Sequence, residues 1–178
     1  MNETWSWPRR TLSAVARGRW ARSVVEGALI LALFLGVRAY TLRGVASGGA
    51  PALVGRDLRG QRVSLDDWRG EAVAVHFWAT WCAVCSAESG SIAGFARNGR
   101  VVTVATSSGE AAAIHAKMDK AGVAFPVVVD ADGSIAAAWG VTRFPTTFFL
   151  NHEHRISTVE SGYTTSLGLR ARLAWAGL

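Results

Sequence analysis

Residues 73–85 read VAVHFWATWCAVC, and this stretch decides how the chain folds. Residues 72–79 are rich in β-branched and aromatic side chains with hardly a polar interruption, the composition of a buried strand. Trp81, Cys82, Ala83, Val84 and Cys85 follow at once, and a helix is expected from about Cys82 to about Ala96, with Gly99 as its stop. Cys82 then stands at a strand-to-helix turn and Cys85 one turn inside the helix. Backbone N–H groups and the helix dipole at that point stabilise a thiolate on Cys82, lowering its pKa below that of a free thiol. Two intervening residues let Cys85 reach back to resolve a mixed disulfide. Cys82 is therefore the expected exposed nucleophile and Cys85 the more buried resolving thiol.

Only two cysteines occur in 178 residues, so a scaffold of several disulfides closing long loops is excluded. Zinc sites share the C-x-x-C spacing, but tetrahedral zinc needs four ligands. The chain has no second cysteine pair, and His76, His115, His152 and His154 do not form a standard partner motif. No metal site and no cofactor beyond the redox-active disulfide are expected. Binding of Cu(I) by the two soft thiolates is the rival reading. Against it, the methionines number two and there is no histidine-rich tract.

Outward from this motif, strands and helices alternate. A short strand is expected at residues 63–65, a buried strand at Val101–Thr106 and a helix at 110–121 ending on Gly122. A strand at 127–129, a turn at 130–133 and a short helix at 134–139 come next. Thr146–Leu150 and residues 155–160 form a hairpin, and a last helix covers 165–176. Short crossovers of this kind imply parallel strands with helices on both faces.

Residues 73–85 resemble the active-site strand and turn of thioredoxin-like proteins, especially the membrane-anchored TlpA/ResA-like thiol–disulfide oxidoreductases. GVTRFPTTFFL, residues 140–150, is similar to that family's second signature, a cis-proline followed by a strand, and 61–65 (QRVSL) and 68–70 (WRG) match its lead-in. The similarity covers about residues 52–176, and an anchor before a short domain is most similar to the subgroup linked to suppression of copper sensitivity (ScsD-like). The resemblance implies a thioredoxin-like three-layer α/β sandwich with a central mixed sheet. It also implies a cis Pro145 beside the disulfide, with Phe144 and Thr146 at the surface that pairs with extended substrate. Dithiol–disulfide exchange with exported proteins is the implied activity, reduction favoured over oxidation or isomerisation, with electrons from a membrane electron-transfer protein. Cytochrome c maturation and copper-stress repair are the destinations it brings into view.

Departures from the family pattern single out further residues. Ala83 and Val84 stand where many relatives have a proline second, so the reduction potential does not transfer. His76 falls where thioredoxins have a buried Asp, and strand alternation turns it to the helix-covered side of the sheet. It reads either as a proton relay to Cys85 or as a core histidine satisfied by a backbone carbonyl. Glu88, one turn past Cys85, matches an acidic position of ResA-like proteins and reads either as a modulator of the cysteines or as a solvated helix residue. Trp78 is expected in the core and Trp81 beside the disulfide.

The amino-terminal part is of another kind. Residues 24–42, VVEGALILALFLGVRAYTL, rise about 28 Å as a helix, roughly the hydrocarbon thickness of a bilayer. Five Arg between Arg9 and Arg22 precede it, and the positive-inside rule keeps that side cytoplasmic. Residues 1–23 are therefore a basic cytoplasmic tail, 24–42 a transmembrane signal anchor, 43–51 a flexible linker and 52–178 the thioredoxin-like domain. Small residues at 46–50 are the feature that a cleaved signal peptide would use instead. By the family resemblance the setting is a bacterial inner membrane with the domain in the periplasm. The formal charge of +6 lies mostly on this tail, where seven Arg face two Glu within residues 1–43. A nucleic-acid binder would spread its basic residues over a folded surface, so that class is excluded.

Overall fold

The computed structural model describes residues 12–97 and 100–178; the expected stop at Gly99 and the first part of the basic tail lie outside them. The chain divides into two compact units, Met1–Arg43 and Gly44–Leu178.

The first unit is helix α1, Leu12–Thr41, which starts well before the expected anchor. Ala, Leu and Arg favour helix, and only glycines interrupt the run, so nothing stops it at residue 24. Within it Arg22–Thr41 is long and apolar enough to cross a membrane, and Leu29, Ile30, Leu33 and Phe34 all point outward.

The second unit is built on a seven-stranded sheet. Its strands are β1 (Val54–Asp57), β2 (Arg62–Ser64), β3 (Val73–Trp78), β4 (Val101–Thr106), β5 (Val127–Asp130), β6 (Thr146–Leu150) and β7 (Ile156–Ser161), in the order β2-β1-β5-β4-β3-β6-β7. Only β3–β4 and β4–β5 are parallel; the other pairs are antiparallel, so the sheet is mixed. The helices are α2 (Ala83–Ala96), α3 (Ala111–Ala121), α4 (Ser134–Ala138) and α5 (Ser166–Ala176). Right-handed crossovers put α2 and α3 on one face, and α4 packs on the other through Ile135 and Ala136. The α2 and α5 side chains Ile92, Phe95, Leu169 and Leu173 cover Ala74 and Phe149 on the first face. On the second, Val73, Val75 and Phe77 pack with Trp139, Phe148 and Leu53.

Two features differ from expectation. Strand β1 was not foreseen; its VGRD sequence carries neither an apolar run nor a clean alternation. Residues 43–51, expected to be a flexible linker, are tied to the domain from Val45 onward. The Ala46 N–H donates to the Trp139 carbonyl (3.0 Å), the Ile156 N–H to Gly48 (2.7 Å) and the Ala50 N–H to His154 (2.9 Å), while Val45, Ala46 and Ala50 lean on the core. These are backbone bonds, which glycine and serine make as readily as any residue. Gly140 sits at φ 66°, and a Cβ there would collide with the Gly44 carbonyl, so this docking needs glycine.

Candidate functional site

Strand β3 ends at Trp78 and the chain turns through residues 79–82 into α2. Ser108 secures the turn: its Oγ accepts the Thr80 N–H (2.9 Å) and donates to the Thr106 carbonyl (2.9 Å). Ser108 was not foreseen from sequence, and nothing in its surroundings there marks it. Cys82 takes the N-cap position of α2 with extended backbone (φ −81°, ψ 114°), and its Sγ accepts the Cys85 N–H at 3.1 Å. A sulfur thus fills the place where Ser or Asp usually satisfies an orphan N–H.

Cys82 and Cys85 form a disulfide, their Cα atoms 5.3 Å apart. Cys82 is only 8 % exposed and Cys85 5 %, so the expected contrast between exposed and buried sulfur is slight in this state. Two aromatic rings stand beside the pair, Trp81 and Phe144. Trp81 is exposed, its indole N–H donating to the Ser107 carbonyl (3.0 Å), and its ring meets Phe144 edge to face, 5.6 Å between centroids. Phe144 also packs on the cluster that holds both cysteines and Trp78, which is core as expected. Ala83 and Val84 are exposed between the cysteines.

The Phe144–Pro145 bond is cis. The turn is held on both sides: the Thr146 hydroxyl donates to the Arg143 carbonyl (2.9 Å) and the Gly162 N–H to that of Pro145 (2.9 Å).

Beneath α2 the sheet carries polar groups. His76 is buried and hydrogen-bonds through Nδ1 to Thr147 Oγ1 (2.9 Å), its neighbour on β6, and not to the expected backbone carbonyl. Burial holds the imidazole neutral, pushing its pKa down to about 3. Trp78 donates to Thr103 Oγ1 (3.2 Å), and that hydroxyl donates to the Pro126 carbonyl (2.7 Å). Glu88 is wholly buried, which removes the solvated reading. One carboxyl oxygen accepts the Thr164 N–H (3.0 Å) and the other has no partner among the described residues. Desolvation outweighs that hydrogen bond and raises the pKa to about 7. The signal for this burial was present in the sequence: Cys85, Glu88, Ile92 and Phe95 lie on one helical stripe, and all four are buried.

A mixed sheet flanked by helices, with a C-x-x-C disulfide capping the helix after its central strand, defines a thioredoxin-fold thiol–disulfide oxidoreductase. The chain belongs to the Redoxin family, which it matches over residues 46–169. It is 39 % identical to the thiol–disulfide oxidoreductase ResA of Bacillus subtilis over 121 residues, 65 % of this chain and 67 % of that one. Among solved structures, a DsbF homologue from Corynebacterium diphtheriae superposes with a TM-score of 0.65 at 23 % identity, covering 71 % of this chain and 85 % of the other. StoA from Bacillus subtilis does so with a TM-score of 0.61 at 23 % identity, covering 70 % and 98 %. At these identities the two structures speak for the fold alone.

Proposed function

We propose that this chain is a membrane-tethered oxidoreductase that works outside the cytoplasm, exchanging its Cys82–Cys85 pair with thiols and disulfides of exported proteins, chiefly as a reductant. The reading is carried by Cys82 as the N-cap of α2, its sulfur turned to the Cys85 N–H. In the dithiol state that position favours a Cys82 thiolate. The thiolate attacks a substrate disulfide, one substrate sulfur leaves as thiolate, and a mixed disulfide forms. Cys85, deprotonated, attacks Cys82 Sγ, which closes the internal disulfide and releases the second substrate thiolate.

What surrounds the sulfur supports the reductive direction. A strongly oxidising pair needs its thiolate heavily stabilised, whereas Ala83 and Val84 offer neither charge nor side-chain donor, and Pro145 has no N–H. The helix start is left as the main support, which suits a reductant. Glu88, on the Cys85 face of α2 and poised near neutral pH, is the group we assign to tune Cys85 and take up its proton. His76 is a poor acceptor, because burial disfavours its protonated form; we assign it to packing under the site. Turnover then requires electrons from a membrane partner, consistent with α1 and the Arg residues before residue 24.

The full-length protein in nanodiscs, equilibrated in thiol buffers and scored by alkylation, tests this reading. A potential near thioredoxin's, about −270 mV, is expected. A value near about −120 mV would make the protein an oxidant and overturn the reductase direction.

A further inference from the structure

Beside the disulfide lies a pocket that the exchange reaction does not use. It is an opening of about 230 Å³ between α2 and α3, with Trp78, Cys85, Met118, Val123 and Phe125 among its walls. Trp78 and Phe125 meet there edge to face, 5.7 Å between centroids. Met118 is buried and adds a polarizable thioether, which favours contact with aromatic rings.

The charge at this apolar site is one-sided. Lys117 and Lys120 also line it, three residues apart and hence on one side of α3. No carboxylate lines the pocket, and neither lysine is in an ion pair among the described residues. The adjacent Asp119 is engaged with His115 (2.8 Å). Two cations beside desolvated aromatic surface favour an anion with an apolar body, and they repel the Arg-rich amino-terminal tail of this chain or of a second copy. Size narrows the occupant further. Pockets for drug-sized ligands begin at about 300 Å³, so this one suits a single ring.

We propose that the pocket binds small aromatic acids, the ring seated on Trp78, Phe125 and Met118 and the carboxylate held by Lys117 and Lys120. The site shares Cys85 with the redox centre but needs no bond to change there, so it is independent of the direction of electron flow.

Fluorine NMR of para-trifluoromethylbenzoate titrated into the full-length disulfide form in nanodiscs tests this, with empty nanodiscs as the blank. Saturable binding is expected, weakened about tenfold or more by Lys117→Glu/Lys120→Glu, and likewise by Ala121→Trp, which fills the mouth from an exposed position. Three results would each overturn the proposal: no saturation above the blank, equal binding of the uncharged para-trifluoromethylbenzyl alcohol, or undiminished binding in both variants. Displacement of the probe by an acetylated tripeptide ending in Phe at concentrations about tenfold lower than by benzoate would also overturn it, pointing to a protein terminus as occupant.

Discussion

The two faces of the central sheet are made from the same strands and serve different ends. On the face toward α4, Val73, Val75 and Phe77 meet Trp139 and Phe148 in a continuous apolar layer, with Phe148 edge-on to Trp139 at 4.8 Å. On the face toward α2 the intervening positions are Ala74, His76 and Trp78, and Thr103, Thr147 and Glu88 are buried with them. Polar burial of this kind costs stability unless every group is paired, and among the described residues one oxygen of Glu88 is not. Among the same residues the apolar face leaves the uncharged Trp139 indole N–H unpaired, a smaller cost than a carboxyl oxygen. The first face holds the domain together; the second gives up stability under the redox helix, where the proposed exchange calls for a group that titrates.

The largest effects are expected at the cysteines on the α2 side of the sheet. Cys82→Ser is expected to reduce disulfide reductase turnover to background, whereas Cys85→Ser should accumulate a mixed disulfide that a substrate trap recovers by mass. Recovery of the trapped species through Cys85 instead, from the Cys82→Ser variant, would reverse the assigned roles. The apolar face gives the next effect. Phe77→Ala should cost about 3–5 kcal/mol in thermal unfolding while leaving the pH dependence of turnover in place. A shift in that pH profile would mean that the two faces are not separable.

The smallest net effect lies in the pH dependence of stability of the unaltered protein, where the two buried groups oppose each other. Glu88 is raised in the fold, so its protonated form is favoured there and stability is lost as pH rises from 4.5 through about 7. His76 is depressed, so stability is lost as pH falls below 6.5 toward about 3. Between pH 4.5 and 6.5 the two slopes, each at most about 1.4 kcal/mol per pH unit, work against one another. Glu88→Gln should leave only the loss toward acid, and His76→Asn only the loss toward neutrality, both read from thermal unfolding of the disulfide form. The same Glu88→Gln variant should move the pH profile of turnover, and His76→Asn should not.

What was legible in the sequence follows the same division. β3 stands out because it is almost wholly apolar, the strand after Pro145 because all five of its residues are β-branched, aromatic or Leu, and the C-x-x-C turn because its spacing fits few chemistries. The buried state of Glu88 was hidden by residue type, although its place on the stripe with Ile92 and Phe95 was visible. The bond from His76 to Thr147 joins residues 71 positions apart and depends on the β3–β6 register, which no local pattern encodes. β1 and the docked segment before it are held mainly by backbone pairing, to which side-chain composition is nearly blind.

That docked segment has a consequence for how the protein behaves in solution. β7 is an outermost strand, and such strands offer unpaired N–H and C=O groups as a template for a neighbouring molecule. Here Gly48 takes the Ile156 N–H and Gly49 bridges Arg155, so the first positions of that edge are already occupied by the chain's own approach. A fragment cut at residue 52 loses this cover along with the helix. It should self-associate more, as read by sedimentation, than a fragment beginning at Gly44, whose glycine-rich stretch keeps the start of that edge paired within the chain.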